Sequence, residues 1–267
     1  NHRRQRQMCI RDRCNRFLQV KPGAVGYHVG MIDMVLREQV AQANADLVKA
    51  GLVTLSFGNV SGVDREAGAL VIKPSGVACD QVQPEDLVVV SLDDGRVLEG
   101  TMRPSSDTPT HLRLYQAYPH LGGVVHTHSS FAAAFAQAGR DIPALGTTHA
   151  DHFRGPIPTS RLMTEAEIEG QYELETGNVI IETIDGRTDD ALRMPGVLVR
   201  SHGPFTWGVD AAAAVVNAIA LEAVAAMAER TLSIDPEAPD IQEALLRRHF
   251  DRKHGPGAYY GQPGDEH

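Results

Sequence analysis

From Gly51 to His254 the chain alternates short β-rich runs with helical segments and contains no linker or internal repeat. Such a pattern can bury its apolar faces only by packing helices against a shared sheet, which predicts one α/β domain with a central sheet sandwiched by helices. Val35, Leu36, Val40, Ala43 and Leu47 recur at helical spacing, so a helix is expected over 34–50, stopped by Gly51. Residues 52–60 read as a strand running into a glycine turn, and 70–72 and 87–92 as short strands. Ser106 or Asp107 can cap a helix with Pro109 in its first turn, ending at Tyr118. Residues 123–127 read as a buried strand, followed by a helix that Ser129 or Ser130 opens and Gly139 closes. The sequence from Thr164 to Glu167 has the pattern of a capping box. Strands are expected over 178–183 and 196–200, a long helix from Asp210 to Arg230, and a last helix over 240–253 before a Gly/Pro-rich tail.

The 267 residues are 42% hydrophobic and 22% charged, enough to build a core without disulfides or metal staples. The net charge of -9 is unevenly spread: residues 1–30 hold seven Lys/Arg and one acid, the rest 18 bases and 33 acids. An acidic body argues against nucleic-acid binding. The basic head has no helical period and no apolar signal region, so it is expected to be a disordered extension or a mis-assigned start, with the domain covering 31–267. Cys9 and Cys14 lie in that head and only Cys79 in the body, which fits a reducing cytoplasm. Residues 211–227 form the most apolar stretch, yet Asn217 and Glu222 interrupt it and it is short for a membrane span.

Chemistry concentrates at a few positions. His126 and His128 end a predicted strand, where residues two apart share a face and two imidazoles can hold one divalent ion; such a pair can also be merely hydrogen-bonded. His202 follows another predicted strand. Three histidines at strand ends would suit an open catalytic metal site, with Asp107 either a fourth ligand or only a helix cap. The polar turns at Gly58-Asn59, Ser75-Gly76 and Ser105-Ser106, with Lys73 nearby, can cradle a phosphate, though each alone is also an ordinary turn. Asp151, in a polar loop, and a tail tyrosine could exchange protons. The sequence has no G-x-G-x-x-G, Walker A or G-x-S-x-G pattern.

From about Met31 to Gln262 these motifs resemble the class II aldolase/adducin family. The resemblance is carried by Gly58-Asn59-Val60-Ser61, Lys73-Pro74-Ser75-Gly76, Pro104-Ser105-Ser106-Asp107-Thr108-Pro109-Thr110-His111, His126-Thr127-His128, Thr148-His149-Ala150-Asp151, Ser201-His202-Gly203 and Tyr259-Tyr260-Gly261. It implies a divalent metal, usually zinc, held by Asp107, His126, His128 and His202. It implies substrate and phosphate contacts from Gly58, Asn59, Ser75, Gly76, Ser105 and Ser106, and an acid/base pair of Asp151 and Tyr260. The fold it implies is a mainly antiparallel sheet of about nine strands with helices on both faces, in a cytoplasmic homotetramer with sites at subunit interfaces. Within the family, Asp107 and the Thr148–Asp151 loop resemble the enzymes that epimerise a pentulose phosphate at C4. Sugar-phosphate aldolases of the fuculose-phosphate type typically carry Glu at the position of Asp107, and the intact histidines argue against a non-catalytic, adducin-like interaction module.

Overall fold

A computed structural model describes residues 34–259. The expectations for residues 1–30 and for Tyr260 lie outside the described residues. Among the described residues, seven strands form one sheet: β1 (Asn59–Asp64), β2 (Ala69–Ile72), β3 (Val88–Ser91), β4 (Val97–Glu99), β5 (Gly123–His126), β6 (Gly196–Val199) and β7 (Gly203–Gly208). Their spatial order is β4-β3-β2-β1-β5-β7-β6. Every neighbouring pair is antiparallel.

The helices are α1 (Met34–Lys49), α2 (Thr108–Ala117), α3 (Ser130–Ala138), α4 (Thr147–Ala150), α5 (Glu165–Glu169), α6 (Tyr172–Asp185), α7 (Ala211–Ile234) and α8 (Glu243–His254). They cover both faces of the sheet. Leu70, Ile72, Val88, Val90 and Val124 pack with α2, α3, α6 and the second half of α7. Their strand neighbours Ala69, Val71, Val89 and Val125 turn the other way, onto α1 and the first half of α7. The strands are thus buried on both sides, and their sequence is nearly continuous in Val, Leu and Ile rather than alternating.

Seven strands stand where the family resemblance implied about nine, and two segments read from the residues as strands also differ. Residues 52–58 are irregular, with a turn at 55–56; Leu55 takes a left-handed φ of 58° that no regular strand tolerates, and only Asn59 onward pairs. Residues 178–183 lie inside α6. Their β-branched side chains suggested a strand, but Thr176, Gly177, Val179, Ile180 and Ile184 make one buried helical stripe, and packing overrides the local preference. Further extended pieces survive only as isolated bridges, Pro74 with Pro104, Ile142 with Ile157 and Thr159 with Leu198. The strand β7 was not anticipated, because its Gly203-Pro204 start reads as a turn.

Helix α7 runs past Arg230 to Ile234. At 24 residues it is long and apolar enough to cross a membrane by length and composition, contrary to the expectation from 211–227; half of its most apolar window is buried within the domain. Its Glu222 has a defined structural task. Ser129, at the cap position of α3, makes no side-chain cap bond, and the Glu222 carboxylate instead accepts the Phe131 and Ala132 N–H groups, both at 2.9 Å. A carboxylate at a helix N-terminus gains from the charge of the free N–H groups as well as from the bonds. Glu222→Ala should lower unfolding free energy by about 1–3 kcal/mol, the cost of leaving such donors unpaired, as measured by urea denaturation.

Candidate metal centre and its surroundings

Three antiparallel neighbours bring the central residues into one row. In register, Asn59 of β1 opposes His126 of β5, and His126 opposes Phe205 of β7. The imidazole of His126 stacks on the Phe205 ring at 4.2 Å and 16°. His128 lies two residues beyond His126, and His202 sits in the tight turn between β6 and β7, after Ser201 at φ 62°. Ring centroids are 4.8 Å apart for His126 and His128, 4.7 Å for His126 and His202, and 5.0 Å for His128 and His202. One nitrogen from each of the three lies within 4.8 Å of the others.

This close approach depends on two glycines. A Cβ on Gly203 would come within 2.7 Å of the Thr127 carbonyl oxygen. One on Gly58, which has φ +119°, would come within 2.9 Å of the His126 carbonyl oxygen.

The trio could hold a metal ion. His126 Nδ1 donates to the Pro204 carbonyl at 3.0 Å, which leaves its Nε2 lone pair facing His128 Nε2 at 3.0 Å. Burial pushes the His126 pKa down to about 3, and burial also lowers those of His128 and His202. Neutral imidazoles crowded nitrogen to nitrogen are what a divalent ion requires, and ligand nitrogens on one tetrahedral zinc lie about 3.3 Å apart. The residues present therefore fit such an ion. His202 has an outer partner too: the Tyr172 hydroxyl, at the start of α6, lies 3.4 Å from its Nδ1.

Asp107 stands beside the trio and not among its closest nitrogens. It precedes α2, but its carboxylate does not cap that helix; Oδ2 accepts from Asn59 Nδ2 at 2.7 Å. Burial pulls the Asp107 pKa upward, yet the neighbouring His126 and His111 and the Asn59 amide together hold it below the ordinary range.

The polar turns converge on the same end of the sheet. Ser75 N donates to the Arg103 carbonyl and Ser105 N to the Lys73 carbonyl, each at 2.9 Å, so the segments around Ser75-Gly76 and Ser105-Ser106 run side by side. Asn59 Nδ2 also reaches Ser105 Oγ at 3.1 Å. Ser75, Gly76 and Ser106 are exposed, while Gly58, Asn59 and Ser105 are buried. Lys73 is buried with its ammonium on the Pro74 and Val77 carbonyls.

Asp151 ends α4 and is held elsewhere. Its carboxylate accepts from Arg252 Nε at 3.1 Å and Nη2 at 2.7 Å, and it meets His249 Nδ1 at 2.9 Å; its carbonyl meets His254 Nε2 at 2.9 Å. These partners all belong to α8. Among the described residues no contact joins Asp151 to the three histidines.

The model of the class II aldolase and adducin N-terminal domain matches residues 38–228. The chain belongs to the class II aldolase and adducin family. Among relatives, it is 58% identical over 227 residues to the L-ribulose-5-phosphate 4-epimerase UlaF of Salmonella paratyphi B, covering 85% of this chain and 98% of that protein. The identity and coverage are the same for the UlaF of Salmonella typhi. Solved class II aldolases share the fold. An L-fuculose 1-phosphate aldolase superposes with a TM-score of 0.70 at 21% identity, covering 83% of this chain and 97% of that one. The L-fuculose-1-phosphate aldolase of Thermus thermophilus gives 0.60 at 22% identity, covering 76% and 99%.

In this class II aldolase-type domain the sequence alone did not single out three polar partners: Tyr172, beside His202, and His249 and Arg252, around Asp151. A basic, amphipathic last helix was the available signal for the latter two.

Burial raises the Asp151 pKa, but hydrogen bonds from Arg252 and His249 outweigh it and hold the carboxyl below its usual value. A depressed carboxyl pKa adds stability above the unfolded-state value of about 3.9, and that contribution disappears as pH falls through the folded value. Arg252→Gln should therefore be less stable than the parent at pH 7, and the gap should narrow as pH falls below the ordinary carboxyl value of about 3.9. Denaturant titrations of both proteins across this range measure it.

Proposed function

We propose that this chain is an L-ribulose-5-phosphate 4-epimerase, interconverting L-ribulose 5-phosphate and D-xylulose 5-phosphate. The observation that carries the reading is 58% identity along 98% of a protein named for that activity. The histidine trio and the facing polar turns support it.

The substrate's own chemistry defines what the site must do. The ketose carbonyl is at C2, so it does not acidify the hydrogen on C4. Inversion at C4 then proceeds by breaking the C3–C4 bond and remaking it on the other face of the aldehyde. Cleavage yields glycolaldehyde phosphate and the enediolate of dihydroxyacetone. His126, His128 and His202, with Asp107 as an oxygen ligand, would hold one divalent cation, and three imidazoles suit zinc. Such an ion supplies Lewis acidity toward the charge that develops on the ketose oxygens.

The chain's own groups supply retention and proton transfer. Gly58, Asn59, Ser75, Gly76, Ser105 and Ser106 offer polar groups around the start of α2, where an anion is favoured. They keep the aldehyde phosphate while its carbonyl turns over. Asp151 and Tyr260 exchange protons with the C4 oxygen, one for each face. Asp151 enters as the carboxylate, since Arg252 and His249 favour that form.

The working protein in this reading is a cytoplasmic homotetramer whose sites are shared between subunits. Two features support it. The Asp151 carboxylate is bonded to α8 and, among the described residues, has no contact with the three histidines of its own chain, and α7 exposes Val216, Ile219 and Met227 in a row that a second copy can cover. Residues 1–30 precede the enzyme domain, which occupies 31–267.

The direct test is incubation with L-ribulose 5-phosphate and a coupled readout of D-xylulose 5-phosphate, with metal quantified in the purified protein. His126→Asn should lose bound metal and epimerisation together. Asp151→Asn and Tyr260→Phe should each lower turnover by about 10²-fold or more while metal content stays at the wild-type level. Full activity in a verified metal-free preparation would remove the metal from the mechanism. Parent-level turnover in either variant would remove that residue from proton transfer.

A further inference from the structure

A buried polar ladder connects the core to the metal centre along β1 and α2. Asn59 and Ser61 are two residues apart on β1 and face the same side. Asp107, His111 and Tyr115 recur every four residues along the start and body of α2 and face them. The upper rung is the bond from Asn59 Nδ2 to Asp107. The lower rung is Ser61 Oγ, which lies 2.7 Å from His111 Nδ1 and 2.8 Å from the Tyr115 hydroxyl. Ser61, His111 and Tyr115 are each 0% exposed.

One buried atom of each rung has no hydrogen-bond partner among the described residues: His111 Nε2 of the lower and Asn59 Oδ1 of the upper. The lower rung decides which tautomer His111 adopts. The 2.8 Å contact itself allows either hydroxyl to donate; among the described residues Ser61 Oγ is the acceptor within reach of the Tyr115 proton, and we assign the bond that direction. The Ser61 proton then goes to His111 Nδ1, and the imidazole carries its one hydrogen on Nε2. Burial keeps that ring neutral, with its pKa pushed down to about 4. The ladder thus ends in a buried N–H donor and a buried amide acceptor, which are complementary. The His111 ring also meets Phe205 edge-on at 6.2 Å and 70°, and Phe205 is the ring on which His126 stacks.

We infer that His111 is a positioning residue of the metal centre: its Nε2–H and Asn59 Oδ1 share one buried water, and this bridge fixes the Asn59 amide with its Nδ2 toward Asp107. Buried waters take two to four polar partners of this kind. An Asn59 amide turned the other way would set Oδ1 against the Asp107 carboxylate and leave Nδ2 facing the His111 N–H. The orientation of Asp107 beside the trio is therefore set from inside the core, through His111. The inference rests on the metal centre of the proposed function.

Two measurements test it. Long-range ¹H–¹⁵N spectra of the imidazoles in the metal-free wild type should show His111 as the Nε2–H tautomer, and an Nδ1–H tautomer overturns the inference. Zinc affinity by chelator competition is then compared in two variants. His111→Asn keeps an acceptor for Ser61 near Nδ1 and loses the inner donor, so affinity should fall by about 10- to 100-fold, the usual effect of an outer-shell partner. His111→Gln returns an amide near Nε2 and should recover part of the loss. Wild-type affinity in folded His111→Asn, or an equal loss in both variants, overturns the inference. Should neither fold, Ser61→Ala is the milder variant. It should populate the Nδ1–H tautomer and weaken zinc binding, and no change in either measurement overturns the inference. A wild-type protein that binds no zinc or other divalent ion would instead remove the metal centre, with the tautomer result still standing.

Discussion

The antiparallel pairing of β1, β5 and β7 is the constraint on which the site depends. It sets Asn59, His126 and Phe205 side by side across three strands, with their side chains on one face. A one-residue slip in either pairing would turn His126 away from that face and carry Val124 with it, out of the core. The apolar register therefore also specifies the site register. Val124 on one face and Val125 on the other fix which way His126 must point.

The same pairing explains why so many backbone groups act on the histidines. The Pro204 carbonyl accepts from His126 Nδ1 and also from the Thr127 N–H, so one oxygen orients the His126 ring and the start of the segment to His128. Proline cannot donate to a ladder and is uncommon in a central strand. Here it lies near the start of β7, where the strand leaves the His202 turn. Gly203 lets that turn approach Thr127 closely enough for the third ring to join the first two.

Much of this was legible in the sequence, for reasons that differ by residue. The spacing of His126 and His128 after an apolar run marks a strand end. Ser201-His202-Gly203 marks a turn, and that each turn lies at the same sheet end follows only from topology. Helices with sharp caps were read closely: Gly139 closes α3 in a left-handed conformation, and the box at Thr164 and Glu167 is formed. Errors fell where local and tertiary preferences disagree. The β-branched run 178–183 is helical because its stripe is buried, and Leu55 breaks the expected strand because its left-handed backbone serves the turn before Gly58. His111 closes the motif from Pro104 to His111, whose pattern assigns it no role. Its spacing of four from Asp107 was the available signal, but a helical spacing alone does not say which strand faces it.

The two halves of the proposed chemistry stand on different kinds of support, and the difference has a physical sense. The three histidines proposed as ligands sit on or just beyond adjacent strands of one sheet, where ladder hydrogen bonds and ring stacking leave little freedom. An ion held by three imidazoles tolerates little misplacement, so a rigid platform suits it. Asp151 instead ends a four-residue helix and is held by side-chain bonds from α8, a helix exposed along much of its length. A proton-transfer group has to release one partner to accept another. A guanidinium and an imidazole on a peripheral helix keep Asp151 charged and placed, and can exchange bonds without disturbing the sheet. Such a division places the rigid demand in the core and the adaptable one at the edge.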